Sequence, residues 1–483
     1  MALAATVVHE VRTTGSDTNG GYFDPGVGSP GTDYSVQDAA QVSYTDLVIG
    51  ATNTQLTSAA HPFTSAHVGN GLNVTGGAGF TTGWYTVASV SGSTATMDRA
   101  VGTANSTAGT GNLGGGFATP GQAMSIAVAS NTIYIKQGTY TCSTSNNVAG
   151  GRMDITVGGS SANTPFQVVG YNTNRTLTNS DTPPQIEAGA SFDGATSQLV
   201  FLNSNYIRVR NLKLRNSNSR AGGNTSTMCH MNGVYNLCER VDVDANSKSG
   251  WYGFFQGGTE CHCYDCIAQH CTAAGFSGGG SNCSFHFCYA ANNSNHGFIG
   301  VTQYLRCISY NNSGATSDGF NMLNSPGVNC VGCVAASNGR NGFLGYYDTK
   351  YDNCIAYGNS NDGFHDGTGS NNPIVTLYNC AGGGNGGSNV SGTIPSYCQY
   401  GFATLTASPF TNAGNGDFSL NNTASAGAAC RAAGYPSSFY GLSTNSYTDI
   451  GAAQHQDAGG GPSTVAIDNQ TTIVWPDTGC IGY

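Results

Sequence analysis

The sequence predicts an all-β protein built as a parallel solenoid, and three observations lead there. Of 483 residues, 71 are glycine and only 9% are charged. Exposed helix faces are normally filled with Glu, Lys and Arg, so so few charges exclude a helical protein. The chain is nevertheless 39% hydrophobic and 10% aromatic, which is enough to build a core and excludes a disordered polymer. The third observation is a repeat. Gly-Phe recurs at Gly253-Phe254, Gly275-Phe276, Gly297-Phe298, Gly319-Phe320, Gly342-Phe343 and Gly363-Phe364, with spacings of 22, 22, 22, 23 and 21 residues.

The content of one repeat follows from what recurs around that pair. Cys266, Cys288, Cys333 and Cys354 each stand nine residues before a repeat glycine, and Cys307 stands twelve before. Two positions after each cysteine comes Ala268, Ala290, Ser309, Ala335 or Ala356, and five after most of them comes Asn293, Asn312, Asn338 or Asn359. Strand alternation puts the cysteine and the small residue on one face. Each repeat therefore reads as a short strand, an asparagine turn and a second short strand carrying the aromatic. About 22 residues of this kind form one coil of a parallel β-solenoid, with equivalent residues stacked about 4.8 Å apart. The cysteines Cys266, Cys288, Cys307, Cys333 and Cys354 are then an internal structural ladder. The asparagines are a turn ladder, since Asn tolerates the left-handed conformation.

Upstream, 133–140, 166–171 and 206–214 alternate apolar and polar residues and read as earlier coils with Ile, Leu and Val inside. Here a resemblance enters. Phe117-Ala-Thr, a helix-like 122–129 and then Thr132-Ile-Tyr-Ile-Lys-Gln-Gly-Thr-Tyr140 resemble the N-terminal cap of pectate-lyase-like right-handed parallel β-helix proteins. Asp417-Phe-Ser-Leu420 and Asp449-Ile-Gly-Ala452 resemble that family's C-terminal closing segments. The resemblance implies a right-handed single-stranded helix. It leaves the activity open, because the fold serves lyases, hydrolases, isomerases and viral spikes.

The predicted organisation is a cap strand over 1–22, a small inserted β domain over 23–113, and the parallel β-helix over 114–400. Closing segments over 401–457 follow, then a linker and terminal strand over 458–483. The insert contains short strands at 71–74, 83–90 and 94–98 separated by turn residues. It is similar to modules of phage and virus-like structural genes.

Four constellations bear on chemistry. Cys261, Cys263, Cys266 and Cys271, with His262 and His270, and then Cys330 and Cys333, have spacings that invite a zinc reading. The cysteines follow the phase of the coil, however, so they are read as packed core thiols and no metal is assigned. Asp318, Asp362, His365 and Asp366 are the candidate catalytic residues, with Arg340 and Lys350 near in sequence. Calcium-dependent lyases of the resembled family bind the ion through clustered Asp and use Arg or Lys as base. Here no run of acids recurs at coil spacing, so calcium near Asp362 and Asp366 is only an alternative to having no cofactor. Trp251, Tyr252, Tyr346, Tyr347 and Tyr351 are denser than a core needs and are candidate contacts for a glycan or a neighbouring subunit. His262 and His286 read as hydrogen-bonded strand residues.

The net charge is −10, and the few scattered Lys and Arg lack the footprint of nucleic-acid binding. No apolar run reaches transmembrane length. The first residues form neither a basic nor an apolar signal segment, and 17 cysteines is an odd count, so reduced thiols and assembly in a host cytoplasm are expected. These readings combine into a structural protein of a bacteriophage virion surface: a tail spike, head fibre or capsid decoration. It is expected to contact other virion proteins and host surface polysaccharide and to have no nucleic-acid or membrane partner; resemblance to β-helix spikes implies a homotrimer. The alternative is a polysaccharide lyase or glycoside hydrolase.

Overall fold

The structure is a computed structural model. It describes residues 8–454 except 23–37, 145–150, 173–174, 176–181, 190–191, 193–197, 217–225, 249, 323–324, 326, 347, 368–374, 392–393, 432 and 435–447. Expectations for 23–37 and 458–483 lie outside the described residues.

Parallel strands dominate. One sheet has 21 strands, ending at Gln399–Tyr400 and Ala403–Thr404, and a second has nine, from Met153–Ile155 to Phe364–Asp366. A single coil supplies both sheets: His262–Tyr264 and Ile267–Gln269 join the long sheet, and Phe276–Gly278 joins the nine-stranded one. The register repeats residue for residue, so Phe254 faces Phe276, then Phe298, Phe320, Phe343 and Phe364. The molecule is a right-handed single-stranded parallel β-helix.

The corners explain why such short strands suffice. The residue before each ladder cysteine has a positive φ: Asp265 at 52°, Phe287 at 55°, Arg306 at 51°, Gly332 at 62° and Asn353 at 56°. A second corner is made by Asn292, Asn311, Ser337 and Gly358, at 55°, 51°, 56° and 68°. The left-handed residue at that corner thus stands one position before each ladder asparagine, which corrects the expected role of Asn293, Asn312, Asn338 and Asn359. Those four point inward and are buried. The Oδ1 of Asn312 accepts from the backbone N (3.1 Å) and the Nδ2 (2.8 Å) of Asn293, one coil earlier. The same double bond joins Asn312 to Asn338, Asn338 to Asn359 and Asn359 to Asn385. An inward asparagine bonded on every side satisfies backbone groups that no water reaches.

Phenylalanine and cysteine fill the rest of the interior. The six repeat phenylalanines stack with centroids 4.8–4.9 Å apart and planes within 10° of parallel. Across from them, Cys266, Cys288, Cys307, Cys333 and Cys354 are buried. Four of these donate Sγ–H to a carbonyl about one coil back, at 3.2–3.5 Å: Cys266 to Cys238, Cys288 to Cys263, Cys307 to Phe285 and Cys354 to Cys330. A ring on one side leaves room for only a small side chain on the other, and a thiol fills it without an unsatisfied hydroxyl.

At the N-terminal end, strand Val8–Val11 pairs with Thr132–Lys136, and helix Pro120–Ile126 covers the first coil. Thr119 caps that helix, accepting from Gln122 N at 3.4 Å, and Pro120 opens it. Asp17 anchors the cap by accepting from Ala118 N, Thr119 N and the Thr119 hydroxyl at 3.0, 3.0 and 2.8 Å.

Within the inserted segment, six antiparallel strands between Val42 and Leu113 close into a barrel with its own core. Trp84 Nε1 donates to Asn19 O at 2.9 Å, and the amides of Asn73 and Asn112 donate to Thr18 O, fixing the barrel to the cap.

The last described segment does more than close the end. Phe410, Phe418, Leu420, Ile450 and Ala452 pack on Ile308, Val334, Ile355 and Ala381, which are paired residues of four successive coils. It is a strap running back along one side of the helix, and Arg306 Nε holds Ala452 O at 2.7 Å.

Candidate functional site

The nine-stranded sheet turns its repeat phenylalanines inward, so the next residue of each strand faces out. That outer row runs Ser277, Ile299, Asn321, Leu344, His365. Beside it stands a second row, the residues that precede the repeat glycines. His296, Asp318, Asn341 and Asp362 stack on consecutive coils, tied by Gly297 N to Asp318 O (3.2 Å), Gly319 N to Asn341 O (2.9 Å) and Gly342 N to Asp362 O (2.9 Å). Two carboxylates, two histidines and an arginine meet here.

Asp318 is fully buried. Its carboxylate accepts from Arg340 Nε at 2.7 Å and again from the second guanidinium nitrogen. It also accepts from Asn321 Nδ2 (2.9 Å), Asn341 Nδ2 (3.0 Å) and Asn341 N (3.2 Å). Its backbone N–H donates to His296 Nδ1 at 3.0 Å. Burial holds the His296 imidazole below its ordinary value, against the pull of the Asp318 charge. The hydrogen bonds that Arg340 donates to the Asp318 carboxylate raise its guanidinium above its ordinary value. Every lone-pair direction of the Asp318 carboxylate is thus occupied, and two of these bonds anchor Arg340.

Asp362 is placed differently. One carboxylate oxygen accepts from Ser388 N at 2.7 Å, and the other lies 2.7 Å from His365 Nδ1. Asn341 Oδ1 accepts from Asp362 N at 3.3 Å and from Asn361 Nδ2 at 2.9 Å, so the loop carrying the acid is itself held. The His365 side chain is 30% exposed. A carboxylate at Nδ1 sets the tautomer with the proton on that nitrogen and leaves the Nε2 lone pair outward. Asp366 does not join them. In the strand Phe364–Asp366 it shares the buried face with Phe364, so the sequence neighbours His365 and Asp366 point to opposite sides.

The aromatic candidates divide in the same way. Trp251 and Tyr351 are fully buried, which corrects their assignment as surface contacts. Tyr351 packs inside against Phe343 and Phe364, at 5.1 and 5.5 Å between centroids. Tyr252 is half-buried on the outer face, with its ring 6.0 Å from Phe255. Tyr346 is half-buried, and Tyr347 lies outside the described residues. Farther along the outer row, Phe201, His230 and Phe255 stand on successive strands with ring centroids 5.0 Å apart. Burial pushes His230 down to about 4. Sequence reasoning missed this trio because it precedes the regular repeat. The His365–Asp362 pairing was legible only as a three-residue spacing across a turn.

Among the described residues, no group of three or more His, Cys, Asp or Glu side chains is disposed to hold a metal ion. No described helix is long and apolar enough to cross a membrane.

The stacked ladders and the capped first coil define a right-handed parallel β-helix. No family model matches the chain, and no curated protein matches it. Solved structures similar to it include pectate lyase Pel9A, at 17% identity and a TM-score of 0.42, covering 69% of this chain and 90% of that one. The A-module of mannuronan C-5 epimerase AlgE4 from Azotobacter vinelandii is similar at 13% identity and a TM-score of 0.35, covering 57% and 68%. The GH136 lacto-N-biosidase of Eubacterium ramulus is similar at 10% identity and a TM-score of 0.39, covering 59% and 63%. At these identities no residue role transfers from them.

Proposed function

We propose that the protein acts on a polysaccharide lying on the outer face of the nine-stranded sheet, with His365 as the proton-transferring residue and Asp362 as its positioning partner. The observation that carries this reading is the 2.7 Å contact between Asp362 and His365 Nδ1 on a partly exposed outer surface. A carboxylate that fixes the ring at Nδ1 and turns Nε2 outward is the arrangement of a general base. Arg340, held by Asp318 one coil away and 34% exposed at its side chain, adds a fixed cation to the same face of the helix.

Of the two reactions open to such a site, proton abstraction by a lyase fits better than hydrolysis. A glycoside hydrolase needs a second carboxylate free to exchange protons, and Asp318 is saturated. Virion placement rests on composition and on the inserted segment, and trimerisation on resemblance to β-helix spikes, whereas the carbohydrate reading has the His365–Asp362 geometry behind it.

The test is incubation of the purified protein with acidic polysaccharides, with and without calcium, following the absorbance of unsaturated products. His365→Ala is expected to lower the rate by about 100-fold or more. An unchanged rate in that variant, or no product from any acidic polysaccharide, removes the proposal.

A further inference from the structure

The cysteines of the core are not equivalent. All 16 described cysteines are free and buried. Most ladder thiols have a carbonyl acceptor: beside the four named above, Cys261 donates to Gly233 O (3.2 Å), Cys283 to Gly258 O (3.2 Å) and Cys380 to Tyr351 O (3.3 Å). Ladder thiols also neighbour thiols of adjacent coils, but Cys229 and Cys238 meet across the interior. Their Sγ atoms are 3.6 Å apart, and Cys238 Sγ lies 3.7 Å from Met231 Sδ.

The two cysteines sit on different sheets. Cys229 belongs to strand Ser226–Met231 of the nine-stranded sheet, and Cys238 to Leu237–Asp244 of the long one. Both point into the same interior, nine residues apart in the chain, in the coil that precedes the first Gly-Phe repeat. Van der Waals contact between the sulfurs means that a change of side-chain rotamer, with little backbone movement, brings them towards the bonded distance of about 2.05 Å.

We propose that Cys229 and Cys238 are a redox-active pair that closes to a disulfide clamp between the two sheets. The oxidant is a low-molecular-weight disulfide. Cys238 thiolate attacks one of its sulfurs and expels a small thiol, giving a mixed disulfide. Cys229 then attacks Cys238 Sγ and expels the second small thiol. One S–S bond breaks in the reagent, one forms in the protein, and the two cysteine protons leave on the two released thiols. Because both sulfurs are at 0% exposure, exchange follows a local opening of the coil, so the clamp forms slowly and, once made, resists that same opening.

The experiment uses the full chain, reduced and then incubated with oxidised glutathione. Samples are taken over time, and the intact mass and the peptide map are read by mass spectrometry. The expected result is loss of two hydrogen atoms, with the first linked peptides joining Cys229 to Cys238. Closing a loop of this length shifts the unfolding equilibrium towards the folded state by on the order of tenfold to a hundredfold, read from denaturant midpoints. Cys229→Ser is expected to remove both effects. Linkage appearing first at another pair, a persistent glutathione adduct, or no oxidation of folded protein overturns the proposal. The wild-type peptide map decides this alone if the variant does not fold.

Discussion

At the scale of single residues, what the fold does to a side chain depends on the face it occupies. Asp318 and Asp362 hold the same place in their coils, yet one is sealed by five donors and the other orients a histidine. The difference lies in the residue three positions later. Asn321 donates into Asp318, whereas His365 takes its place beside Asp362. Histidine also sets the pH response. Burial depresses His9 from 6.5 to about 4 and His286 from 6.5 to about 3. An imidazole depressed in the folded state takes its proton first in the unfolded chain, so its contribution to stability is complete above 6.5 and is lost as pH falls towards 4. Each is expected to remove on the order of 3 kcal/mol across that window. Denaturant midpoints at about pH 7.5 and about pH 4.5 check the direction, and His286→Phe is expected to flatten the slope.

At the scale of elements, the asparagine ladder links coils that share only two- or three-residue strands. Asn312 is its middle: it accepts twice from Asn293 and donates to Asn338 Oδ1 and Ala290 O. Asn312→Ala strands buried groups in two neighbouring coils, and a cost of about 2–4 kcal/mol is expected in equilibrium unfolding. Asn312→Asp keeps the acceptor but turns a buried oxygen onto Asn338 Oδ1 and Ala290 O, and is expected to cost at least as much as alanine. The recurrence of these asparagines is plain in the sequence. Their inward direction is not, because a turn asparagine in αL and a ladder asparagine just after an αL residue have the same spacing. Only the corner φ values, with Asn311 and Ser337 positive, separate the two.

At the scale of the whole molecule, the helix has more than one apolar exterior to cover. The strap rests on the coils from Ile308 to Ala381, with Tyr289, Tyr310 and Tyr357 packed at its border. Truncation after residue 404 is expected to expose this stripe and drive self-association, measured as a concentration-dependent mass in light scattering. A truncated chain that stayed monomeric with an unchanged unfolding midpoint would contradict the strap. The strap's sequence signals, Asp417-Phe-Ser-Leu420 and Asp449-Ile-Gly-Ala452, were legible as closing segments. Their lateral course was not, since nothing local says which of a solenoid's sides a returning chain will follow.

By itself the sequence determined the all-β class, the coil length and the inward cysteines. Each follows from periodicity, which a one-dimensional string displays in full. The tertiary structure alone decided which polar residues from different coils meet. Asp318 finds Arg340 at a separation of 22 residues, and Cys229 finds Cys238 across two sheets. It also buried Trp251 and Tyr351, whose phase within short strands the composition around them did not reveal. The physical reason is that stacking coils 4.8 Å apart converts a repeat into contacts, while the chemistry at each contact depends on departures from the repeat.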